Sequence, residues 1–245
     1  NDAIESILEQ TYTNIELIVV DDASTDSTKI LVEKWARKDA RVKLIFVEDD
    51  PERFDTKLNR NINAGYSARN KGMAFARGEY ITFQDADDAS FLNRIEVQYK
   101  LLIELNAAHI TTSVTPFKPE LLHTVGPEKP TGEIMTPTDI IKLARRARGI
   151  VPTLFPKINQ KIPFHTKRKT VINKLFFSLL DPYPGAANSP LFKRTVYEKV
   201  KFRKLSERIW PSFMGRGADR DFNFQVATTF KNSYFIPIPL YMWRK

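Results

Sequence analysis

Residues 80–88 read YITFQDADD, an apolar run that ends in three carboxylates, Asp85, Asp87 and Asp88. Like charges packed this closely repel one another unless a cation or a donor-rich ligand neutralises them. A hard divalent ion fits that need, because Mg²⁺ takes one or two carboxylates and completes its shell with phosphate oxygens and water. A second acidic pair, Asp21 and Asp22, ends the run IELIVVDD, and a third, Asp219 and Asp221, lies in GADRDF. Each has a structural alternative: an Asx turn ahead of a helix near Phe91 for 85–88, a cap on the following helix for Asp21 and Asp22, and an acid favoured by the helix dipole for Asp219.

Other chemistries are narrowed by absence. The chain has no cysteine, so thiolate catalysis, zinc–cysteine sites and disulfides are excluded, and a reducing compartment suits it. Neither Gly-x-x-x-x-Gly-Lys-Ser/Thr nor Gly-x-Gly-x-x-Gly occurs, so any bound phosphate must be held by metal and cationic side chains. A phosphatase nucleophile of the form Asp-x-Asp-x-Thr is disfavoured by Ala89 at the threonine position. His109, His123 and His165 are assigned no ligand role, a lone histidine being more often structural.

These acids need elements to position them, and the hydrophobic pattern supplies an alternating order. IELIVVDD reads as a buried strand, STDSTKILVEKWARKD as a helix capped by Asp26 or Ser27, and VKLIFV (42–47) as a second strand. A helix from Tyr66 to Arg77, ended by Gly78, leads into the strand EYITFQDADD; a helix over 91–105 and the strand HITTSVTPF follow. The result is an α/β fold with a mostly parallel sheet flanked by helices, whose ligands sit beyond the carboxyl ends of its strands, where the acids fall. DAIESILEQTY reads like the helix that follows a first strand, so an N-terminal strand ahead of it is expected. Later come NSPLFKRTVYEKVKF, the helix GADRDFNFQVATTF (217–230) and the strand SYFIPIPLYMW. The organisation expected is a nucleotide-binding half over 1–114, an irregular basic insertion over 115–184, and a second half of the same domain over 185–245.

A net charge of +9 over 245 residues favours an anionic partner. The cations concentrate in KLARRARG (142–149) and in 157–174, interleaved with Ile, Leu and Phe. Three uses are open for this region: peripheral contact with an anionic membrane surface, grip on an anionic acceptor glycan, or a solvated face with its apolar residues turned inward. No recognised nucleic-acid-binding module accompanies the charge, so nucleic acid is not expected as a partner. No apolar run is long enough to span a bilayer. The expected location is cytoplasmic, with peripheral attachment at the cytoplasmic membrane face open as one of these three uses.

QTYTNIELIVVDDASTDST, NAGYSARNKGMAFARGEYITFQDADD, NSPLFKRTVYEKVKF and RGADRDF, in this order, resemble the successive signatures of the family 2 glycosyltransferases, inverting nucleotide-sugar enzymes of the GT-A fold. The resemblance implies that Asp21 and Asp22 face the nucleotide base, Arg69 contacts the nucleotide, Asp85 bonds the ribose and Asp87 ligates a Mn²⁺ or Mg²⁺ that bridges the diphosphate. Asp88 stays open between support of the metal and capping. Asp219 matches the catalytic base, while Ala218 stands where relatives have Glu, a loss for which Asp221 could compensate. The implied reaction is metal-dependent, inverting transfer of a sugar, hexosyl or N-acetylhexosaminyl, from a UDP-type donor to a glycan or lipid-linked acceptor in polysaccharide synthesis. A sugar nucleotidyltransferase and a non-catalytic glycan- or membrane-binding module of the same fold are the alternatives.

Overall fold

The computed structural model describes residues 1–47, 54–55, 60–61, 65–147, 154, 158, 162, 183–184, 189–204 and 217–244, with backbone only for 54–55, 60–61 and 145–147. The helix α1 (Asp2–Leu8) precedes β1 (Leu17–Asp21), α2 (Thr28–Lys38) and β2 (Val42–Phe46), so the expected strand–helix–strand order is present. β1 and β2 pair in parallel, with Asp21 opposite Phe46. A two-residue ladder, β3 (Phe54–Asp55) with β4 (Arg60–Asn61), comes next. α3 (Tyr66–Phe75) stops short of the expected Arg77, because Ala76 is already extended. Gly78 serves elsewhere: its N–H and that of Arg77 donate to Glu16 at 3.0 and 2.6 Å. Glu16 leads into β1 and Gly78 into β5 (Tyr80–Thr82), so the two strands start side by side.

The larger sheet collects β5, β6 (Ala89–Ser90), β7 (His109–Pro116), β8 (Leu191–Lys193) and β9 (Ser233–Trp243) in the order β5-β8-β7-β9-β6. Only β7 and β9 run parallel here; β5 with β8, β8 with β7 and β6 with β9 are antiparallel. The α/β class holds, but the sheet is mixed rather than mostly parallel. The reason is that β8 and β9, from the C-terminal part of the chain, insert between strands from its first half. Strand composition does not encode which direction a returning segment takes.

α4 (Arg94–Glu104) packs Val97 and Leu102 on Ile110, Leu191 and Ile236, forming one core face. On the other, α6 (Thr195–Lys199) and α7 (Ala218–Phe230) bury Val196, Phe222 and Val226 against Phe192 and Ile81. Burying about eight to ten such side chains per cluster, at roughly 1.5–3 kcal/mol each, is what fixes these helices onto the sheet. α5 (Pro137–Ala147) places Ile140 and Ala144 against Tyr183, Ala227 and Phe224. Ile140 and Ala144 of this basic helix therefore face the protein, while Ile141 and Leu143 are half-buried; residues 148–174, apart from 154, 158 and 162, lie outside the described set. No described helix is long and apolar enough to cross a membrane.

Between β1 and β5 lies a cavity of 1090 Å³. Leu17, Ile18, Val19 and Val20 form one wall and Tyr80 to Asp85 part of the other, so β1 is half-buried instead of fully buried as its composition suggests. Arg94, fully enclosed, also lines it; its Nη1 donates to Phe83 O at 3.2 Å and Thr82 Oγ1 at 3.3 Å. Its Nε and Nη2 have no hydrogen-bond partner among the described residues. Burial lowers its pKa to about 10.

A polar knot ties α7 to the sheet. His109 is fully buried, with Nε2 2.9 Å from Asn223 Oδ1 and Nδ1 3.0 Å from Ser233 Oγ. An amide oxygen only accepts, so Nε2 carries the proton and Nδ1 accepts from the serine. Burial lowers its pKa to about 4, with the Asn223 contact opposing in part. The unfolded imidazole titrates near 6.5, so between pH 6.5 and about 4 the unfolded chain binds a proton that the folded one excludes. Stability from this group is present above pH 6.5 and is lost as pH falls. It should drop by about 2 kcal/mol between pH 7 and pH 5. Urea unfolding at the two pH values checks this, and His109→Gln is expected to flatten the dependence.

Candidate active site

The aspartate end of β5 gathers segments that lie far apart in sequence. Residues 85–88 close a turn in which Asp88 N–H donates to Asp85 O at 3.2 Å. Asp85 accepts a hydrogen bond from Arg69 Nη2 at 2.5 Å, forming a half-buried ion pair with the N-terminal part of α3. Arg69 rests over the Phe202 ring at 5.5 Å, and Phe202 is itself stacked on Phe222 of α7, with centroids 4.3 Å apart and planes 7° from parallel. Burial works against the charge of Arg69. The negative charges of Asp85 and Asp219, with the hydrogen bond to Asp85, outweigh it and raise its pKa above the ordinary value. Asp219, in the first turn of α7, lies near enough for its charge to act on the same guanidinium that Asp85, 134 residues earlier in the chain, binds directly.

Backbone conformation makes room for this arginine. Gly65, at φ 70°, precedes α3 in the left-handed region, and a Cβ there would stand 2.8 Å from Arg69 Nη1. Only glycine takes that φ without strain and leaves the guanidinium its place. The next residue, Asn70, exchanges two hydrogen bonds with the Phe202 backbone, at 2.8 and 2.9 Å. Arg203 then grips Asp221 with two more, Nε to Oδ2 at 2.9 Å and Nη2 to Oδ1 at 2.7 Å. The short stretch 201–204 is therefore a strap that holds α3 and α7 together and fixes the spacing of Arg69 and Asp219.

Placement separates the remaining candidates. Asp221 is buried and also accepts from Gln225 Nε2 at 3.0 Å, so its carboxylate is committed to the strap. Asp21 is buried and accepts the Ser24 N–H at 2.8 Å, an Asx turn helped by left-handed Ala23 at φ 53°. Asp22 beside it is half-buried at the end of β1. Asp87 is exposed on the 85–88 turn, while Asp88 is turned inward. The Asp88 carboxylate accepts from Tyr241 Oη and from the Arg244 N–H, each at 2.8 Å. Burial, with the nearby Asp87 and Asp85 charges, pushes its carboxyl above the usual range despite those two hydrogen bonds. Asp88 therefore anchors the turn to β9 and does not cap α4, whose N-cap residue is Asn93.

No group of three or more His, Asp or Glu side chains poised to hold a metal occurs among the described residues. The turn offers Asp87, with Asp85 close by, as oxygen donors. Such a sparse set fits Mg²⁺ or Mn²⁺, which leave most of the shell to phosphate and water, and does not fit zinc.

The family model for "Glycosyl transferase family 2" matches residues 1–178. The chain belongs to that family. Glycosyltransferase GlyG of Streptococcus pneumoniae serotype 4 is 37% identical over 106 residues, 43% of this chain and 31% of that protein. WfgD of Escherichia coli, a UDP-Glc:alpha-D-GlcNAc-diphosphoundecaprenol beta-1,3-glucosyltransferase, is 34% identical over 104 residues, 42% of this chain and 36% of that protein. The matched segments span about a third of these relatives' length. Among solved structures, S. aureus TarS 1-349 in complex with UDP superposes with a TM-score of 0.58 at 14% identity, covering all of this chain and 56% of that one. This likeness supports the GT-A fold expected from the sequence. The family match ends before Asp219, so the case for that residue rests on its nearness to Arg69 and its place in the first turn of α7.

Gly65, Asn70, Arg203 and Tyr241 escaped the sequence reading. Gly65 had a signal, a glycine immediately ahead of a helix. The other three have none, because their partners lie 18 or more residues away.

Proposed function

We propose that the chain is an inverting, metal-dependent glycosyltransferase that moves a hexosyl or N-acetylhexosaminyl unit from a UDP-sugar to a hydroxyl of a glycan or lipid-linked acceptor. The observation that supports it most is the Arg69–Asp85 ion pair with the Asp219 charge close by, which puts a donor-side and an acceptor-side carboxylate near one guanidinium. UDP as carrier is supported by the UDP bound to TarS and by the UDP-Glc donor in the WfgD name; a lipid-diphosphate acceptor and polysaccharide synthesis follow the same relative.

In this reading Asp22 and Asp21 border the base, Asp85 receives the ribose hydroxyls, and Arg69 turns part of its charge toward the diphosphate. Asp87, supported by the Asp88 anchor, holds the Mn²⁺ or Mg²⁺, which when bound neutralises charge on the departing diphosphate. Asp219 takes the proton of the acceptor hydroxyl as its oxygen attacks the anomeric carbon from the face opposite the diphosphate. Displacement from that face inverts the anomeric configuration. Attachment at a cytoplasmic membrane face would use cations outside the packed stripe of α5.

Thermal unfolding with Mn²⁺ and a panel of UDP-, GDP- and dTDP-sugars tests the donor class. A UDP-sugar at 100 times its dissociation constant should stabilise by about 2.7 kcal/mol, and the other carriers much less. Equal stabilisation by all, or by none, would remove the UDP assignment.

A further inference from the structure

We propose that Tyr241, near the C-terminal end of the last strand, is a positioning residue that sets the geometry of the metal-holding turn 85–88; this rests on the reading of Asp87 as the metal ligand. Tyr241 is fully buried in β9, paired with Ser90 of β6 on one side and Val114 of β7 on the other. Its hydroxyl does two things at once. It accepts the Asp85 N–H at 3.0 Å and donates to Asp88 Oδ2 at 2.8 Å. A phenol has one proton and spare lone pairs, so it can join an amide donor to a carboxylate acceptor. Burial and the adjacent Asp85 and Asp88 charges raise its pKa, which keeps it protonated for the second bond.

Its ring is steadied from below. The Arg94 guanidinium lies 5.6 Å from the ring centroid, and the same arginine donates to Phe83 O, just ahead of the turn. The Arg244 N–H completes the anchoring of Asp88 through Oδ1. Both flanks of the turn are thus tied to β9, the first by its backbone at 85 and the second by its side chain at 88. Asp87 sits between two fixed points while staying exposed. An exposed ligand has no packing of its own to hold it, so its position depends on the residues that fix its neighbours. Removing the hydroxyl leaves a buried carboxylate oxygen without this donor, and the turn would relieve it by swinging Asp88 toward water. Asp88 would then draw the cation away from the place where it meets the diphosphate.

The test is the Mn²⁺ dependence of UDP binding, read by isothermal titration calorimetry on the whole chain. Tyr241→Phe should raise the Mn²⁺ concentration for half-maximal UDP binding about 10-fold, at the low end for loss of a partner that orients a ligand, and change metal-free UDP binding by a clearly smaller factor. Asp88→Asn should cause a similar shift, because the amide nitrogen that replaces one carboxylate oxygen cannot accept the hydrogen bond that Tyr241 or Arg244 donates there. The double variant should show no more than either single change, as coupled residues do. A Tyr241→Phe protein that melts earlier but keeps the wild-type Mn²⁺ dependence overturns the positioning role, as do additive shifts in the double variant. Metal-independent UDP binding by the unaltered protein overturns the metal reading and this role with it.

Discussion

Asp219→Asn is expected to lower sugar transfer by about 100- to 10,000-fold while leaving UDP affinity close to that of the unaltered protein. The amide keeps the size of the carboxylate and its place in the first turn of α7, so the helix should form as before. What it loses is the ability to accept a proton at the moment the acceptor oxygen attacks. Such a loss belongs to kcat, about 3–5 kcal/mol of barrier, and not to donor binding. A modest change in donor affinity is still built in, because Asp219 lies near Arg69 and its charge acts on the guanidinium that Asp85 binds. Initial rates at saturating donor, with UDP affinity measured in parallel, separate the two effects. Unchanged transfer would sink the base assignment. Asp221 is a poor substitute, because both of its oxygens are held by Arg203 and Gln225 in the buried strap.

Local pattern located most elements of this molecule, but it did not locate their partners. VVDD and TFQDADD showed where two strands deliver acids, since an apolar run followed by carboxylates has few other readings. GADRDF likewise marked the acidic start of α7. The divergence lies in long-range pairing. The choice between antiparallel β8 and a parallel continuation is made by tertiary packing of Leu191 and Phe192, whose hydrophobicity is the same in either direction. Asp87 and Asp88 are adjacent and chemically identical, yet one is exposed and the other is held by residues more than 150 positions away. Asp21 and Asp22 diverge in the same way, because the turn after β1 takes one carboxylate inward to Ser24. The basic helix α5 resembled a membrane-seeking segment by composition, and its core contacts through Ile140 and Ala144 could be seen only with α7 in place.

The second large effect is expected at Asp87. Asp87→Ala should abolish the metal-dependent part of UDP binding, so that affinity in Mn²⁺ falls to the value measured with chelator present. The change removes an exposed side chain from a turn whose two flanks are tied to β9, so the fold has little to lose. A melting temperature near that of the unaltered protein is therefore part of the expectation, and it distinguishes this variant from substitutions at Asp88. Comparison with Asp85→Ala sharpens the assignment. That change also removes a carboxylate from the turn, but it strips Arg69 of its 2.5 Å partner. Its UDP binding should weaken with and without Mn²⁺, because the lost contact is to the nucleoside and not to the ion. If instead Asp87→Ala keeps full Mn²⁺-dependent binding and Asp85→Ala loses it, the two roles are exchanged. The cation would then sit against the Arg69–Asp85 pair, where it must compete with a guanidinium for the same oxygens. That competition is the physical reason for placing the ion at Asp87: a dication binds more favourably to a carboxylate that no other cation already neutralises.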